Sequence, residues 1–416
     1  MKTRIIGGKV YNTEKCAFEE RTLYFDDVIC GKGIALKTID AAGAYVLPGF
    51  IDLHTHGRMG IDIMEADTSE MNALAVEYAK TGVTTMYPTV MTAPLDKIYR
   101  AIDTIKSAEG GAKFAGIHVE GPYIDKEKRG CHTESFIREP HFDEISQIIE
   151  RIAPLHAHFT IAPEHDDKGE GVINKIVRSG GSVGIGHTGA DAETVRRALA
   201  DGAVSFTHTF NAMSEFRHRE PGASGMALAT PAFAEFICDG IHLAPETVEA
   251  AYNAKLRFGD KFVLITDSIP AAGLPDGDYD MNGIPFTLRG KKACTSAGTI
   301  VGSALDIPTA ILNLMRFCDI PLEKALLCAT KAPAEMAGIY DKTGSLDIGK
   351  SADIVICDER LGIQKVIVSG NIVYERNNKE LVGKGYALDY IFKIIMRDYK
   401  EKEYKGYFIF DADNIL

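Results

Sequence analysis

Residues Pro48–Gly57 read PGFIDLHTHG, a short apolar run that ends in His54 and His56. Side chains two residues apart on a strand point to the same face, so both imidazoles can reach one object. Either the pair binds a metal ion, or the two histidines are only polar residues at a strand end. The run is also the first of eight similar runs, and their succession along the chain predicts the fold.

Amphipathic segments, such as SEMNALAVEYAKTG (69–82) and DAETVRRALADG (191–202), lie between the apolar runs. Near-continuous apolar strands that alternate with helices are typical of a parallel sheet buried on both faces. Eight such units predict an α/β fold of the (β/α)8 TIM-barrel type, with a doubly wound sheet as the alternative. The runs are YVLPGFIDLHTH, GVTTMYPTV, FAGIHVEGPYI, HFTIAPE, SVGIGHTG, VSFTHTFNAM, FAEFICDGIHL and FVLITDS.

The two ends of the chain lack the alternation of apolar runs and amphipathic segments that the middle shows. Short β-like pieces without a helical period occupy residues 1–47, and similar pieces return at 345–382. This pattern predicts one small β-sandwich domain built from both termini. The predicted barrel lies between them at 48–344, and the tail at 383–416 has no predicted role.

Composition excludes several classes of protein. The net charge of −12 argues against a nucleic-acid surface, which needs a basic stripe. No apolar run approaches the roughly 20 residues of a membrane span, and no N-terminal secretory pattern is visible. The eight cysteines are scattered without a C-x-x-C pair, which indicates reduced thiols and predicts a cytoplasmic protein.

Histidines and carboxylates recur where the predicted strands end. In a barrel of this type these positions face one central volume. A single strand-end histidine is more often a hydrogen-bonded loop residue, but so many together indicate a metal centre. Histidine with carboxylate suits Zn²⁺ or Fe²⁺, whereas Mg²⁺ prefers oxygen ligands. The residues are His54, His56, Glu120, Glu164, His187, His208, His242 and Asp267.

A divalent metal at such a site lowers the pKa of water towards about 7 and stabilises a developing oxyanion. A carboxylate beside that water can take its proton and return it to a leaving amine, which is typically worth ~10²–10⁴ in rate. Asp267, at the end of the eighth run, is the best placed for this role. The residues alone therefore predict a hydrolytic metal centre.

Several motifs together resemble the N-acetylglucosamine-6-phosphate deacetylase family of the amidohydrolase superfamily. The His-x-His pair identifies only the superfamily, whereas the later motifs in their order are far more specific. The resemblance runs from the first β segment to about residue 380 and implies metal-dependent deacetylation of a sugar phosphate, as well as a homodimer. The motifs are PGFIDLHTHG, GIHVEGPYI, GHTGA, THTFNAMSEF with REPG, DGIHL and ITDSIPAAG.

The resemblance also implies roles for individual residues. Glu120, His187 and His208 match metal ligands, Asp267 matches the catalytic aspartate, and His132 matches a histidine that polarises the acetyl carbonyl. Retention of His54 and His56 implies a second metal, with Glu120 bridging and Asp267 completing the site; otherwise they only order water. The implied substrate contacts are Cys131, Asn211, Ala212, Arg219, Asp239, His242, Ile300, Val301 and Gly302.

Some questions stay open at this point. The metal is Zn²⁺ or Fe²⁺, with Mn²⁺ or Co²⁺ as alternatives, and one or two ions bind per subunit. Cys131 and His218 depart from the family pattern and leave the fine specificity open. The alternative functions are a cyclic amidase, which normally needs a strand-end lysine, a deacetylase for an epimeric N-acetylhexosamine phosphate, and a metal-binding sensor without turnover.

Overall fold

A computed structural model describes residues 2–168 and 171–376 of the chain. Eight parallel strands form the central sheet, and each is hydrogen-bonded to its neighbour in chain order. This arrangement confirms the predicted barrel and excludes the doubly wound order. The strands are Phe50–Thr55, Val83–Met91, Gly116–Glu120, His156–Ile161, Ser182–Ile185, Ser205–Phe206, Phe233–Phe236 and Phe262–Leu264.

The barrel is nearly closed, because the first and eighth strands meet just beyond the end of the eighth. The backbone N–H of Asp267 donates to the carbonyl of His54 at 2.9 Å, and that of His56 donates to the carbonyl of Ser268 at 2.7 Å. Closure of the barrel therefore places Asp267, just after the eighth strand, beside His54 and His56. Residues more than 200 positions apart share one site.

Helices cover the outside of the barrel, and side-chain caps mark where they begin. The helix Thr68–Lys80 begins at Asp67, which exchanges reciprocal hydrogen bonds with Glu70 in a capping box. Asp191 caps the helix Ala192–Ala200 by accepting from the N–H of Thr194 at 2.8 Å. Each cap stabilises its helix by about 1 kcal/mol.

The other helices are Leu95–Ser107, Phe142–Ile152, Val172–Arg178, Gly222–Ala229, Pro245–Leu256, Ile307–Cys318, Leu322–Leu327 and Lys331–Met336, with short 3-10 turns at Glu134–Phe136 and Pro163–Lys168. In the described part of the chain, no helix has both the length and the apolar character needed to cross a bilayer.

Strands from both ends of the chain form two further sheets. Ile354–Cys357 pairs with Tyr45–Pro48, so the C-terminal strands extend a sheet that the N-terminal strands begin. Apolar residues of both ends, including Ile5, Phe25 and Ile354, share one core. This confirms the small β domain built from both termini. Its remaining strands are Thr3–Ile6, Lys9–Asn12, Ala17–Glu20, Leu23–Phe25, Ile29–Cys30, Lys37–Asp40, Ile363–Val368 and Asn371–Glu375.

The predicted domain limits stay a prediction, since Met1–Glu375 forms one compact unit. The predicted tail at 383–416 lies outside the described residues. One feature was missed by the sequence patterns: after the eighth strand, a four-stranded antiparallel sheet brings Ile300–Ser303 back to the barrel. Its other strands are Gly277–Met281, Ile284–Arg289 and Lys292–Cys294; two-residue strands lie at Gly57–Arg58, Ile61–Asp62 and Lys113–Phe114.

Candidate metal centre

Six buried side chains converge at the carboxyl ends of the barrel strands, and each is less than a tenth exposed. Two histidines lie at the end of the first strand, a glutamate ends the third strand, and an aspartate lies in the turn after the eighth strand. The other two histidines follow the fifth and sixth strands. The barrel therefore gathers residues from five strand ends into one volume, as a TIM barrel does with reactive groups. They are His54, His56, Glu120, His187, His208 and Asp267.

Three of these residues have a left-handed backbone. The φ angles are 48° at His187, 30° at His208 and 49° at Asp267. Side chains other than glycine rarely adopt this conformation, which costs of order 1–3 kcal/mol at each position. Such strain persists only where the surrounding structure imposes it, and here it turns three side chains into the same volume.

Glu120 lies at the centre of the cluster. Its Oε1 is 3.0 Å from His208 Nε2 and 3.3 Å from His187 Nε2. The same oxygen is 3.3 Å from His54 Nε2, and Oε2 is 3.3 Å from His56 Nε2. One carboxylate thus contacts both histidine pairs, a position from which it can bridge two metal ions.

Asp267 completes the cluster on the side of the first strand. Its Oδ1 lies 3.2 Å from His56 Nε2 and 3.5 Å from His54 Nε2. Two overlapping groups therefore have ligand atoms close enough to hold an ion: Glu120 with His187 and His208, and Glu120 with His54 and His56. Imidazole nitrogen with carboxylate oxygen is a donor set for Zn²⁺ or Fe²⁺, so the residues fit a divalent metal centre.

Two contacts orient histidines from behind. The carbonyl of Lys128 lies 2.8 Å from His187 Nδ1, so that nitrogen carries the proton and Nε2 presents its lone pair to the cluster. The hydroxyl of Thr92 lies 2.8 Å from His132 Nδ1, while His132 Nε2 faces Glu120 Oε2 at 3.5 Å. A proton on His132 Nε2 satisfies both contacts, which makes this nitrogen a donor towards the site.

Electrostatics keep both carboxylates ionised. Burial raises the pKa of Glu120, but the charge of His54 and hydrogen bonds from three further histidines hold it well below its ordinary value. Burial also raises the pKa of Asp267, and the hydrogen bond and charges of His56 and His54 bring it down to about 2. Burial lowers the pKa of His56, but Asp267 and Glu120 raise it to about 9. Without a metal His56 therefore holds a proton at neutral pH, which a metal ion displaces.

A cavity of about 310 Å³ lies against the cluster. It brings together most of the residues that the sequence pointed to, from loops after six different strands and from the returning strand Ile300–Ser303. The predicted residues that line it are His56, Glu120, Cys131, His132, His187, His208, Asn211, Ala212, His242, Asp267, Ile300, Val301 and Gly302.

Four other predicted residues lie outside the lining. His54 is fully buried behind the cluster. Asp239 holds His242, with Asp239 Oδ2 at 2.7 Å from His242 Nδ1. Arg219 is exposed, with its Nη1 at 2.8 Å from His218 Nε2, and its contact with substrate stays a prediction. Glu164 accepts hydrogen bonds from Thr188 and Gly189, which agrees with its interpretation as a structural carboxylate.

Sequence reasoning missed several residues of the site, and two of them bear on its chemistry. Lys128 lines the cavity, but lysine in the charged stretch DKEKR has no distinguishing pattern. Glu235 is fully buried, and its Oε2 lies 3.4 Å from His54 Nδ1. A signal for Glu235 was present, because it is the one charged residue in the otherwise apolar run FAEFIC.

Fold and site together define a class of protein: barrel enzymes with a divalent-metal centre at the carboxyl ends of the strands. A comparison with known families matches residues 45–373 to the Amidohydrolase family. The chain therefore belongs to the amidohydrolase family. Divalent-metal dependence is typical of that family and agrees with the two ligand groups.

Within this family the chain is similar to N-acetylglucosamine-6-phosphate deacetylases. It is 35% identical to the Bacillus subtilis enzyme over 347 residues, which is 81% of this chain and 87% of the relative. The solved structure of the Pasteurella multocida enzyme has a TM-score of 0.83, with 25% identity over 89% of this chain and 99% of its own.

A variant of the Mycobacterium smegmatis enzyme, solved in complex with N-acetyl-D-glucosamine-6-phosphate, has a TM-score of 0.80. It is 27% identical, and the match covers 90% of this chain and 99% of the solved chain. Both solved structures thus share the fold over nearly their full length.

Proposed function

We propose that the chain hydrolyses the N-acetyl group of N-acetyl-D-glucosamine 6-phosphate, giving D-glucosamine 6-phosphate and acetate in amino-sugar catabolism. The observation that carries this proposal is the buried cluster around Glu120, which faces Asp267 in a cavity of about 310 Å³. The cluster occurs in a chain 35% identical to a deacetylase of this name.

Asp267 acts as the general base and then as the general acid. Its carboxylate is ionised, since its pKa is lowered to about 2, and it lines the cavity. It takes a proton from the water that attacks the amide carbon and delivers that proton to the departing nitrogen. Acid–base work of this kind contributes ~10²–10⁴ in rate.

His132 orients and polarises the acetyl carbonyl. Burial lowers the pKa of His132 below its ordinary value despite the nearby Glu120, so the imidazole is neutral at pH 7. Thr92 directs the ring so that Nε2–H points towards the site, where it donates to the carbonyl oxygen. A divalent metal held by the cluster supplies Lewis acidity, which lowers the pKa of water and polarises the carbonyl further.

The phosphate end of the substrate meets positive groups at the cavity. Burial lowers the pKa of His242, but its hydrogen bond and charge interaction with Asp239 outweigh burial and raise that pKa. His242 and Lys128 both line the cavity. Lys128, and His242 below its raised pKa, attract an anionic group inside a protein whose net charge is −12.

A substrate comparison tests the proposal directly. Release of amine and acetate is measured with N-acetylglucosamine 6-phosphate and with unphosphorylated N-acetylglucosamine, on protein of known metal content. We expect a strong preference for the phosphorylated sugar. Equal rates would refute the phosphate pocket, and no release from either sugar would refute the deacetylase function.

We propose that the resident metal is Zn²⁺ or Fe²⁺, with Mn²⁺ and Co²⁺ able to replace it, and that two ions bind. The four imidazoles favour metals of this group, and Glu120 contacts both pairs. Metal analysis of freshly purified protein measures both identity and number. One ion per chain under saturating metal would contradict the two-ion proposal.

We infer a homodimer in which Arg219 reaches the phosphate site of the partner subunit. Residues 215–220 are exposed, and Phe216 within them is 61% exposed, as expected for a contact surface. Light scattering after gel filtration measures the mass, and Arg219→Ala should raise KM for the phosphorylated sugar. A monomer with full activity would contradict this inference.

We propose a cytoplasmic location. All eight cysteines are free, as is usual for proteins in reducing compartments. Fractionation of cells with an antibody against the chain tests this proposal.

A further inference from the structure

Glu235 is a carboxylate buried inside the barrel with no role in the proposed reaction. It lies in the seventh barrel strand, Phe233–Phe236, and is 0% exposed. Its Oε2 accepts a hydrogen bond from the backbone N–H of His208 at 3.2 Å and lies 3.4 Å from His54 Nδ1. Its Oε1 is buried with no hydrogen-bond partner among the described residues.

A carboxylate in such surroundings is costly. Burying an ionised group is strongly unfavourable unless it is paired, and the group that Glu235 faces is the imidazole of His54. His54 is itself fully buried, and its ring packs edge-on against His118 with centroids 4.4 Å apart. The ring therefore has a defined orientation, with Nδ1 towards Glu235 and Nε2 towards Glu120 and Asp267.

We propose that Glu235 is a positioning residue that makes His54 a metal ligand. Its carboxylate holds the proton of His54 on Nδ1, which leaves the lone pair of Nε2 directed at Glu120 and Asp267. Glu235 thereby determines whether a second divalent ion binds at His54, His56 and Glu120. This inference rests on the metal-dependent function proposed above.

The two histidine pairs differ in the group that faces the Nδ1 atom of one of their members. His187 Nδ1 faces the neutral carbonyl of Lys128, whereas His54 Nδ1 faces the carboxylate of Glu235. A carboxylate partner makes an imidazole a stronger ligand than a carbonyl does, and loss of such partners typically lowers metal affinity about 10–100-fold. The effect of Glu235 should therefore fall on one ion only.

Metal binding to the full-length protein tests this inference. Equilibrium dialysis with Zn²⁺ measures the number and affinity of bound ions in Glu235→Gln, which keeps the shape and an acceptor, and in Glu235→Leu, which removes both acceptor and charge. We expect the ion that His54→Asn also removes to lose affinity about 10-fold in Glu235→Gln and up to about 100-fold in Glu235→Leu. The ion at Glu120, His187 and His208 should keep its affinity.

Two further variants sharpen the result. Asp353→Asn is the matched control, because Asp353 is buried like Glu235 but accepts its hydrogen bonds from Lys113, Thr343 and Ser369, none of which belongs to the cluster. It should bind both ions as the unsubstituted protein does. His54→Asn removes the ligand itself, so that adding Glu235→Gln to it should cause no further loss of affinity.

Three results would overturn the inference. The first is unchanged affinity for both ions in both Glu235 variants, and the second is an equal loss of both ions, which would indicate a structural role through the N–H of His208. If Glu235→Leu fails to fold, Glu235→Gln decides alone. The third result is a single ion in the unsubstituted protein with full deacetylase activity, which would refute this inference but leave the proposed function standing. Two bound ions without acetate release would refute the proposed function but leave this inference standing.

Discussion

Two pairs of histidines flank Glu120, and the molecule holds them by different means. His187 and His208 follow their strands on left-handed backbone, and the support behind His187 is a neutral carbonyl. His54 and His56 lie two residues apart at the end of one strand, with carboxylates on both sides of the His54 ring. One pair is thus placed by backbone geometry and the other by charge, so the two should respond differently to substitution.

The largest effect should come from the group that both pairs share. Glu120→Gln replaces a carboxylate that contacts five imidazoles with a neutral amide. We expect loss of both ions and a fall in kcat greater than the ~10²–10⁴ that acid–base catalysis alone contributes. Metal analysis and steady-state kinetics measure the two quantities. Retention of both ions would show that Glu120 is not the centre of the site.

Asp267→Asn should separate chemistry from metal binding. The side chain keeps its shape but can no longer accept the proton of the attacking water. We expect kcat to fall by ~10²–10⁴ with a small change in KM, while at least the ion at His187 and His208 stays bound. A loss confined to KM would assign Asp267 to binding instead.

His54→Asn compares the two pairs directly. It removes one ligand from the pair supported by charge and leaves the pair placed by the backbone intact. We expect one ion to remain per chain and a residual kcat above that of Asp267→Asn. His187→Asn is the matched variant in the other pair. If both variants lose the same ion and the same activity, the two pairs are not independent.

Lys128→Ala tests a residue that supports His187 by its carbonyl and faces the cavity with its side chain. Only the side chain is removed, so metal content should not change. A hydrogen bond to a charged group is worth about 1.5–3 kcal/mol, which predicts roughly a 10–100-fold rise in KM for the phosphorylated sugar. Lys128→Arg should restore most of the affinity. An equal rise in KM for the unphosphorylated sugar would argue against contact with phosphate.

The smallest effect should be a dependence of KM on pH that originates at His242. Asp239 raises the pKa of His242 above its ordinary value of 6.5, so the imidazolium persists to higher pH than that of an isolated histidine. KM for the phosphorylated sugar should therefore be low below the raised pKa and increase as pH rises through it. Asp239→Asn should move this increase to lower pH. The unphosphorylated sugar, measured from pH 6 to pH 9, serves as the control.

The barrel could be predicted from the sequence because each pattern that indicates it involves only residues close together in the chain. Apolar runs such as VTTMYPTVM and capping residues such as Asp67 depend on neighbours within one strand or one turn. The ligand types were accessible for the same reason, since a parallel barrel places every strand end around one axis. This is why His54, Glu120 and His208 could be grouped before any contact was known.

The contacts between side chains within the site could not be predicted from such local patterns. Glu235 and His54 are 181 residues apart, and only their positions on the seventh and first strands bring them together. The return of Ile300–Ser303 to the cavity likewise depends on an antiparallel sheet that has no counterpart in the alternating strand–helix pattern. Arg219 is exposed in the single chain, and the substrate contact that its motif indicates stays a prediction.

The sequence by itself determined the barrel, its eight strands, and the histidines and carboxylates that its strand ends carry. Hydrophobic periodicity and helix caps act over a few residues, so the order of residues is enough to read them. Only the tertiary structure decided which oxygen faces which imidazole, since closure of the barrel sets distances between residues far apart in the chain. The sequence pattern therefore predicts the two histidines of PGFIDLHTHG as ligands, and the buried carboxylate of Glu235 beside His54 distinguishes their half of the site.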